Sequence, residues 1–171
     1  ARAEEYGKAH GASYFYNSLE ELAKSSQVDA VYVASPNSFH AAQSIMLLTG
    51  KKHVLCEKAF TVNAEQAQKL FDLAKEKKLL ITEAIWTRYM PSRNMIQEII
   101  DSGIIGDISV LTANLSYPIS HKERIMRPEL AGGALLDIGV YGVNFAMMHF
   151  GTDIERIESS VRMTDTGVDA M

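Results

Sequence analysis

Four short segments carry side chains able to do chemistry. The first, Cys56-Glu57-Lys58-Ala59-Phe60, follows an apolar run over residues 53–56. Lys58 therefore falls just past the carboxyl end of an expected strand, the edge at which open α/β sheets bind ligands. A lysine there is a point charge on a long stem. It can donate to a substrate hydroxyl or carbonyl, or support a neighbouring base; a solvated ion pair with Glu57 fits the same residues. The second segment runs from Gly132-Gly133 through Asp137 to Tyr141. Asp137 and Tyr141 are four apart and share a face if the segment is helical. Their neighbours are almost all apolar, so both groups need partners. A lysine arriving from another segment would satisfy both; an Asp–Tyr bond that only fixes helix packing is the alternative.

The third segment is Glu83-Ala84-Ile85-Trp86-Thr87-Arg88-Tyr89-Met90-Pro91. The Trp86 indole and the Arg88 guanidinium can stack on a flat ring and neutralise a polar ligand, or serve as a packing aromatic beside a surface cation. The fourth, Ser35-Pro36-Asn37-Ser38-Phe39-His40, is a strand-end turn feeding a helix, suited to ribose or phosphate contacts. His40 alone is more often a capping or packing residue. His10, His53, His121 and His149 are scattered without metal-ligand spacing.

These segments need a scaffold, and the hydrophobic pattern describes one. Residues 2–10 read as a helix stopped by Gly11, and Ser18 with Glu21 forms a capping box for a short helix through Lys24. Residues 28–34, 53–56 and 79–85 read as buried strands. Helices are expected between them at 39–49 and after Asn63, the latter with Ala67, Leu70, Leu73 and Ala74 as its apolar face. Strands alternating with helices imply right-handed crossovers and a parallel sheet. Beyond residue 85 the pattern changes. Pro91 opens a helix to Ser102, residues 108–117 and 154–164 read as strands, 118–133 as a loop, and 135–150 as an apolar helix ended by Gly151. The expected architecture is α/β: a partial Rossmann-type parallel sheet over residues 1–85, then a partial α+β domain with an open, mostly antiparallel sheet over 86–171. No G-x-G-x-x-G turn is present, so the dinucleotide fingerprint is incomplete. A first strand, phosphate loop and second strand are expected before Ala1, and more sheet after Met171.

Composition narrows the function classes. The chain has 171 residues, 47% apolar and 22% charged, with 17 basic against 21 acidic side chains and a net charge of −4. That balance offers no basic footprint for nucleic acid and no polybasic patch for anionic lipid. The apolar runs read as too short to span a bilayer, and no secretory signal opens the chain. Cys56 is the single cysteine, in keeping with a reducing, cytoplasmic setting.

Taken together, "VLCEKAFTVNAEQA", "EAIWTRYMP", "GGALLDIGVYGVNF" and "DTGVD" resemble one family, the glucose-fructose oxidoreductase/inositol dehydrogenase (Gfo/Idh/MocA) family. Within it they are most like the dimeric dihydrodiol dehydrogenase and NADP-dependent D-xylose dehydrogenase branch. The resemblance implies hydride transfer between a nicotinamide cofactor and a secondary alcohol or carbonyl on a sugar, polyol or cyclic diol. It puts Lys58, Asp137 and Tyr141 on the catalytic positions. Arg2, Ser35, Pro36, Asn37, His40 and Glu57 fall on the cofactor side, and Trp86 and Arg88 near the substrate and nicotinamide. Tyr141 is the implied acid/base, with Lys58 stabilising phenolate and oxyanion; an assignment with Lys58 as the proton carrier is equally open. Asp137 orients whichever is charged. The cofactor is NADP or NAD, with Arg2 favouring NADP, and the implied assembly is a homodimer through the C-terminal sheet. Ala59 departs from the motif, which has proline after the lysine. A non-catalytic cofactor-binding regulator on the same fold is the rival reading. The enzyme reading expects Lys58, Asp137 and Tyr141 to converge beside one cleft.

Without a glycine-rich loop to cradle a pyrophosphate, these 171 residues alone should bind dinucleotide weakly or not at all. Calorimetric titration with NADP and NAD checks this; micromolar binding would contradict it.

Overall fold

A computed structural model describes residues 2–171. They form two compact units that divide between Ala84 and Ile85. In the first, α1 (Arg2–Ala9) ends before Gly11, whose φ of +69° suits only glycine without strain. In α2 (Leu19–Lys24) the Ser18 hydroxyl accepts the Glu21 N–H at 3.1 Å, and Glu21 reaches back to the Asn17 N–H at 3.1 Å. The expected capping box is therefore formed, shifted by one residue on its return bond. Then come β1 (Ala30–Val33), α3 (His40–Thr49), β2 (His53–Cys56), α4 (Ala64–Lys77) and β3 (Ile81–Glu83). Asn63 caps α4 through the Gln66 N–H at 2.9 Å.

The three strands form a parallel sheet in the order β1-β2-β3. Val33 pairs with Cys56 and Cys56 with Glu83, so the carboxyl ends of all three strands are level. Leu47, Leu48 and Leu70 are wholly buried against Val33, Val54, Cys56, Phe60 and Ala74. Each such leucine contributes about 1.5–3 kcal/mol on burial. The close approach of α2 to α3 depends on Gly50, where a Cβ would run into the Ala23 carbonyl.

The regular elements of the second unit are helices and helical turns. α5 (Pro91–Asp101) starts at its proline as expected. The expected loop over 118–133 contains a short helix, α6 (Glu123–Met126), and a 3₁₀ turn, Pro128–Leu130. The apolar helix begins as a π-helical turn, Leu135–Gly139, and continues as α7 (Val140–Phe150) up to Gly151. Two expectations need correction. Residues 108–117 and 154–164 form no strand, so the unit shows no open antiparallel sheet. Among the described residues it has one isolated antiparallel bridge, Met163 to Asp169. Alternation fixes which faces a segment would present, but a ladder also needs an edge to pair with, and Val110 and Ile157 instead stand 77% and 79% exposed. The apolar runs are also longer than expected: Pro128–Phe150 spans 23 residues at mean hydropathy 1.4, enough by length and composition to cross a membrane. Ala131, at φ +53°, interrupts that stretch. The helical part from Leu135 is at most about 24 Å long, against a hydrocarbon core of about 30 Å.

Burial pushes the Cys56 thiol up from 9.0 to about 12, an effect only partly offset by Ser44. An acid whose pKa is raised by folding adds stability that is complete below its unfolded value and fades as pH climbs toward the folded one. Unfolding free energy should therefore decline as pH rises from about 9 toward 12, less so in Cys56→Ala. Iodoacetamide at pH near 8 should label the thiol only in denaturant; rapid labelling of the native protein would contradict its burial.

Candidate functional site

In the first unit the chemistry gathers at the level carboxyl edge of the sheet. Two residues beyond β1 stands Ser35, and two beyond β2 stands Lys58. Between them lies His40, the first residue of α3 and wholly buried. Its Nδ1 is 2.8 Å from the Ala59 carbonyl oxygen and its Nε2 is 2.8 Å from that of Ser35. His40 thus ties the Ser35 turn to the lysine loop. His40, expected on the cofactor side, has no exposed surface here, and its two ring nitrogens face carbonyl oxygens.

Ser35, Pro36 and Asn37 remain partly exposed. The Ser35 hydroxyl donates to Gln43 Oε1 at 2.8 Å. Among the described residues, no side chain caps the turn Asn37–Phe39 or the start of α3. Glu57 accepts the Lys58 main-chain N–H at 3.0 Å and the Tyr32 hydroxyl. The carboxylate beside it holds the Tyr32 phenol up at about 12. Lys58 is half-buried, and the Lys58–Ala59 peptide bond is cis. Arg2 is exposed at the start of α1.

The second unit holds the other cluster. Trp86 and Arg88 lie on a 3₁₀ turn, Trp86–Tyr89. The Trp86 indole N–H donates to the Tyr141 hydroxyl at 3.1 Å, with the rings edge-on at 6.2 Å. Arg88 Nε donates to Asn144 Oδ1 at 3.1 Å. Tyr141 and Asn144 are one helical turn apart on α7, so this turn docks on one face of the helix. Asp137 is buried on the π-helical turn and accepts from Arg124 Nη1 at 2.9 Å.

The start of the π-helical turn is held by Asp169, whose main-chain oxygen accepts the Ala134 N–H at 2.9 Å and whose carboxylate accepts the Leu135 N–H at 2.5 Å. Gly132 and Gly133 are required there: a Cβ on Gly132 would strike the Ile125 carbonyl, and one on Gly133, at φ +107°, the Asp169 carboxylate. Sequence reasoning missed Arg124, Asn144 and Asp169. Asn144 had a signal in its spacing of three from Tyr141; Arg124 sits on the short α6 in a stretch that reads as loop, and Asp169 in the DTGVD segment, neither with a periodicity to mark it. A separate apolar hollow of about 320 Å³, lined by Ile96, Ile100, Leu111, Phe145 and Phe150 among others, lies between α5 and α7 and includes none of these polar groups.

The sequence profile described as "Oxidoreductase family, NAD-binding Rossmann fold" matches residues 1–84, and that described as "GFO/IDH/MocA C-terminal domain" matches residues 94–171. Trans-1,2-dihydrobenzene-1,2-diol dehydrogenase of Mus musculus is 37% identical over 98% of this chain and 51% of its own length. D-xylose 1-dehydrogenase (NADP(+)) of Hypocrea jecorina is 46% identical over 74% of this chain and 35% of its own. A crystal structure of KijD10, a 3-ketoreductase from Actinomadura kijaniata in complex with NADP, superposes with a TM-score of 0.84 at 32% identity, over 98% of this chain and 50% of that one. The chain thus spans about half the length of the dihydrodiol dehydrogenases it matches.

Removing Arg124 would leave the Asp137 carboxylate in its buried seat without this cation. Arg124→Met should cost about 1–3 kcal/mol in denaturant unfolding, reduced from the fully buried case because the arginine is half exposed. Asp137→Asn should cost less, and equal stability of Arg124→Met and wild type would show that the pair does not hold the helix start.

Proposed function

Because this chain belongs to the Gfo/Idh/MocA family of oxidoreductases, we propose that the full-length protein is a nicotinamide-dependent dehydrogenase. Its substrate is a secondary alcohol, or the matching carbonyl, on a sugar, polyol or cyclic diol. One observation carries the reading in this chain. The Ser35 turn and the Lys58 loop emerge side by side from the level ends of two paired parallel strands, joined by His40. Ligands of open α/β sheets bind at that edge.

The residues at this edge fit the nicotinamide side of a dinucleotide. Ser35, Asn37, Glu57 and Lys58 supply polar contacts to it. When bound, the nicotinamide supplies the hydride acceptor or donor at C4. Arg2, an exposed cation opening α1, supports NADP over NAD, as do the NADP-linked relatives.

The chain's own part is proton handling and orientation. In the oxidative direction Tyr141 takes the hydroxyl proton as hydride leaves the carbinol carbon. Lys58 stabilises the phenolate and the developing oxyanion. Asp137, paired with Arg124, orients. Trp86 holds the Tyr141 hydroxyl, and Arg88 is fixed through Asn144 at the substrate end. A cytoplasmic homodimer formed through the second domain completes the proposal.

In the full-length protein, Lys58→Met should lower turnover about a hundred- to ten-thousandfold, the range for losing an acid/base group. Cofactor affinity should change far less. Turnover within a factor of a few of wild type would remove Lys58 from the mechanism. A panel of sugars, polyols and cyclic diols, run separately with NAD and NADP, identifies the assay substrate.

A further inference from the structure

The peptide group between Ala59 and Phe60 is held at both of its polar atoms. Its carbonyl oxygen lies 2.8 Å from His40 Nδ1 on α3. Its N–H donates to Glu83 Oε1 at 2.8 Å, from the last residue of β3. The neighbouring groups are fastened too. The Lys58 N–H goes to Glu57, the Phe60 carbonyl receives the Cys56 thiol at 3.8 Å, and the Val62 N–H donates to Gln66 Oε1 at 3.3 Å.

A loop that only has to reverse direction can close on its own main-chain bond from residue i to i+3. This loop instead draws partners from β2, α3, β3 and α4. At its centre it uses a carboxylate. A charged acceptor shortens and strengthens the bond relative to a neutral one, but drawing that carboxylate partly out of water carries a desolvation cost. Ala59 and Phe60 are 4% and 8% exposed, while Lys58 beside them stays half-exposed. The clamp therefore grips the buried residues from whose edge the lysine projects. Register makes it possible, because Glu83 pairs with Cys56 and so stands level with the strand end from which the loop departs.

We propose that Glu83 is a positioning residue for Lys58: by fixing the Ala59–Phe60 peptide from β3, it sets where the lysine ammonium stands for proton handling. The role rests on the dehydrogenase reading above and needs no contact between Glu83 and the reacting atoms. What matters is an acceptor at the right reach rather than negative charge as such.

The test uses the full-length protein with its best cofactor and substrate. Glutamine keeps an acceptor at the same reach; aspartate keeps the charge but falls one methylene short. Glu83→Gln should keep kcat within about threefold. Glu83→Asp should lose about ten- to a hundredfold in kcat, as expected when a reacting group is displaced by about an ångström. Cofactor Kd should move by less than about threefold in both, with thermal midpoints recorded alongside. If Glu83→Asp does not fold, Glu83→Ala takes its place, and a folded Glu83→Gln that has lost most of its activity overturns the proposal by itself. In the double variant Lys58→Met/Glu83→Asp the losses should not multiply, because a residue acting through the lysine has nothing left to position. Multiplied losses, or an active Glu83→Asp beside a crippled Glu83→Gln, overturn the proposal for Glu83 and leave the dehydrogenase reading standing. If Lys58→Met itself turns over like wild type, the lysine mechanism falls first, and the two failures are told apart.

Discussion

Much of the first unit depends on the register of β2 between its two neighbours. Val33, Cys56 and Glu83 form one rung of the sheet, and that rung sets the height at which every loop on the carboxyl edge begins. A slip of one residue in either pairing would turn alternate side chains to the other face. In the β2–β3 pairing a slip would also move Glu83 about 3.3 Å along the strand relative to the lysine loop, beyond the reach of the Phe60 N–H. The buried leucines of α3 and α4 hold the register, because Leu47, Leu48 and Leu70 pack without exposed surface only when Val33, Val54 and Cys56 face them. Packing in the core and geometry at the edge are thus one constraint seen at two places.

The parts of the fold legible in the sequence are those decided locally. Asn63 before Ala67, Leu70, Leu73 and Ala74 is both a cap and an apolar stripe, and α4 follows from it. The run 53–56 coincides with β2. Ser18 and Glu21 announce α2. Strand existence in the second half was not legible in the same way. Residues 108–117 have the alternation of a strand, but pairing is a property of two segments, and a pattern in one cannot supply the other.

The candidate site divides along the same line. That Lys58 follows a strand end, and that Asp137 and Tyr141 sit on one helical segment, could be read from spacing. Their partners could not. Arg124 reaches Asp137 from a segment whose composition reads only as loop, and Glu83 reaches the lysine loop across a strand pairing. His40 was visible as a residue type in a suggestive turn, but its burial depends on how α3 lies on the sheet.

The π-helical turn at Leu135–Gly139 has a further meaning for how the second unit tolerates change. Such a turn accommodates more residues per revolution than an α-helix does, so it acts as a gear with one extra tooth ahead of Tyr141 and Asn144. Deletions and insertions here are not neutral trimmings of a helix. Removing one residue would let the turn relax to α with α7 kept close to its present phase, because the wide turn already absorbs the extra residue; the same change in a plain α-helix would rotate everything beyond it by about 100°. Asn144 would keep its face toward Arg88, and the change would fall on the turn itself, where Asp137 sits. The five residues 135–139 therefore act as slack in the helix, and lineages that gain or lose a residue there should differ around Asp137 rather than in which side chains α7 presents.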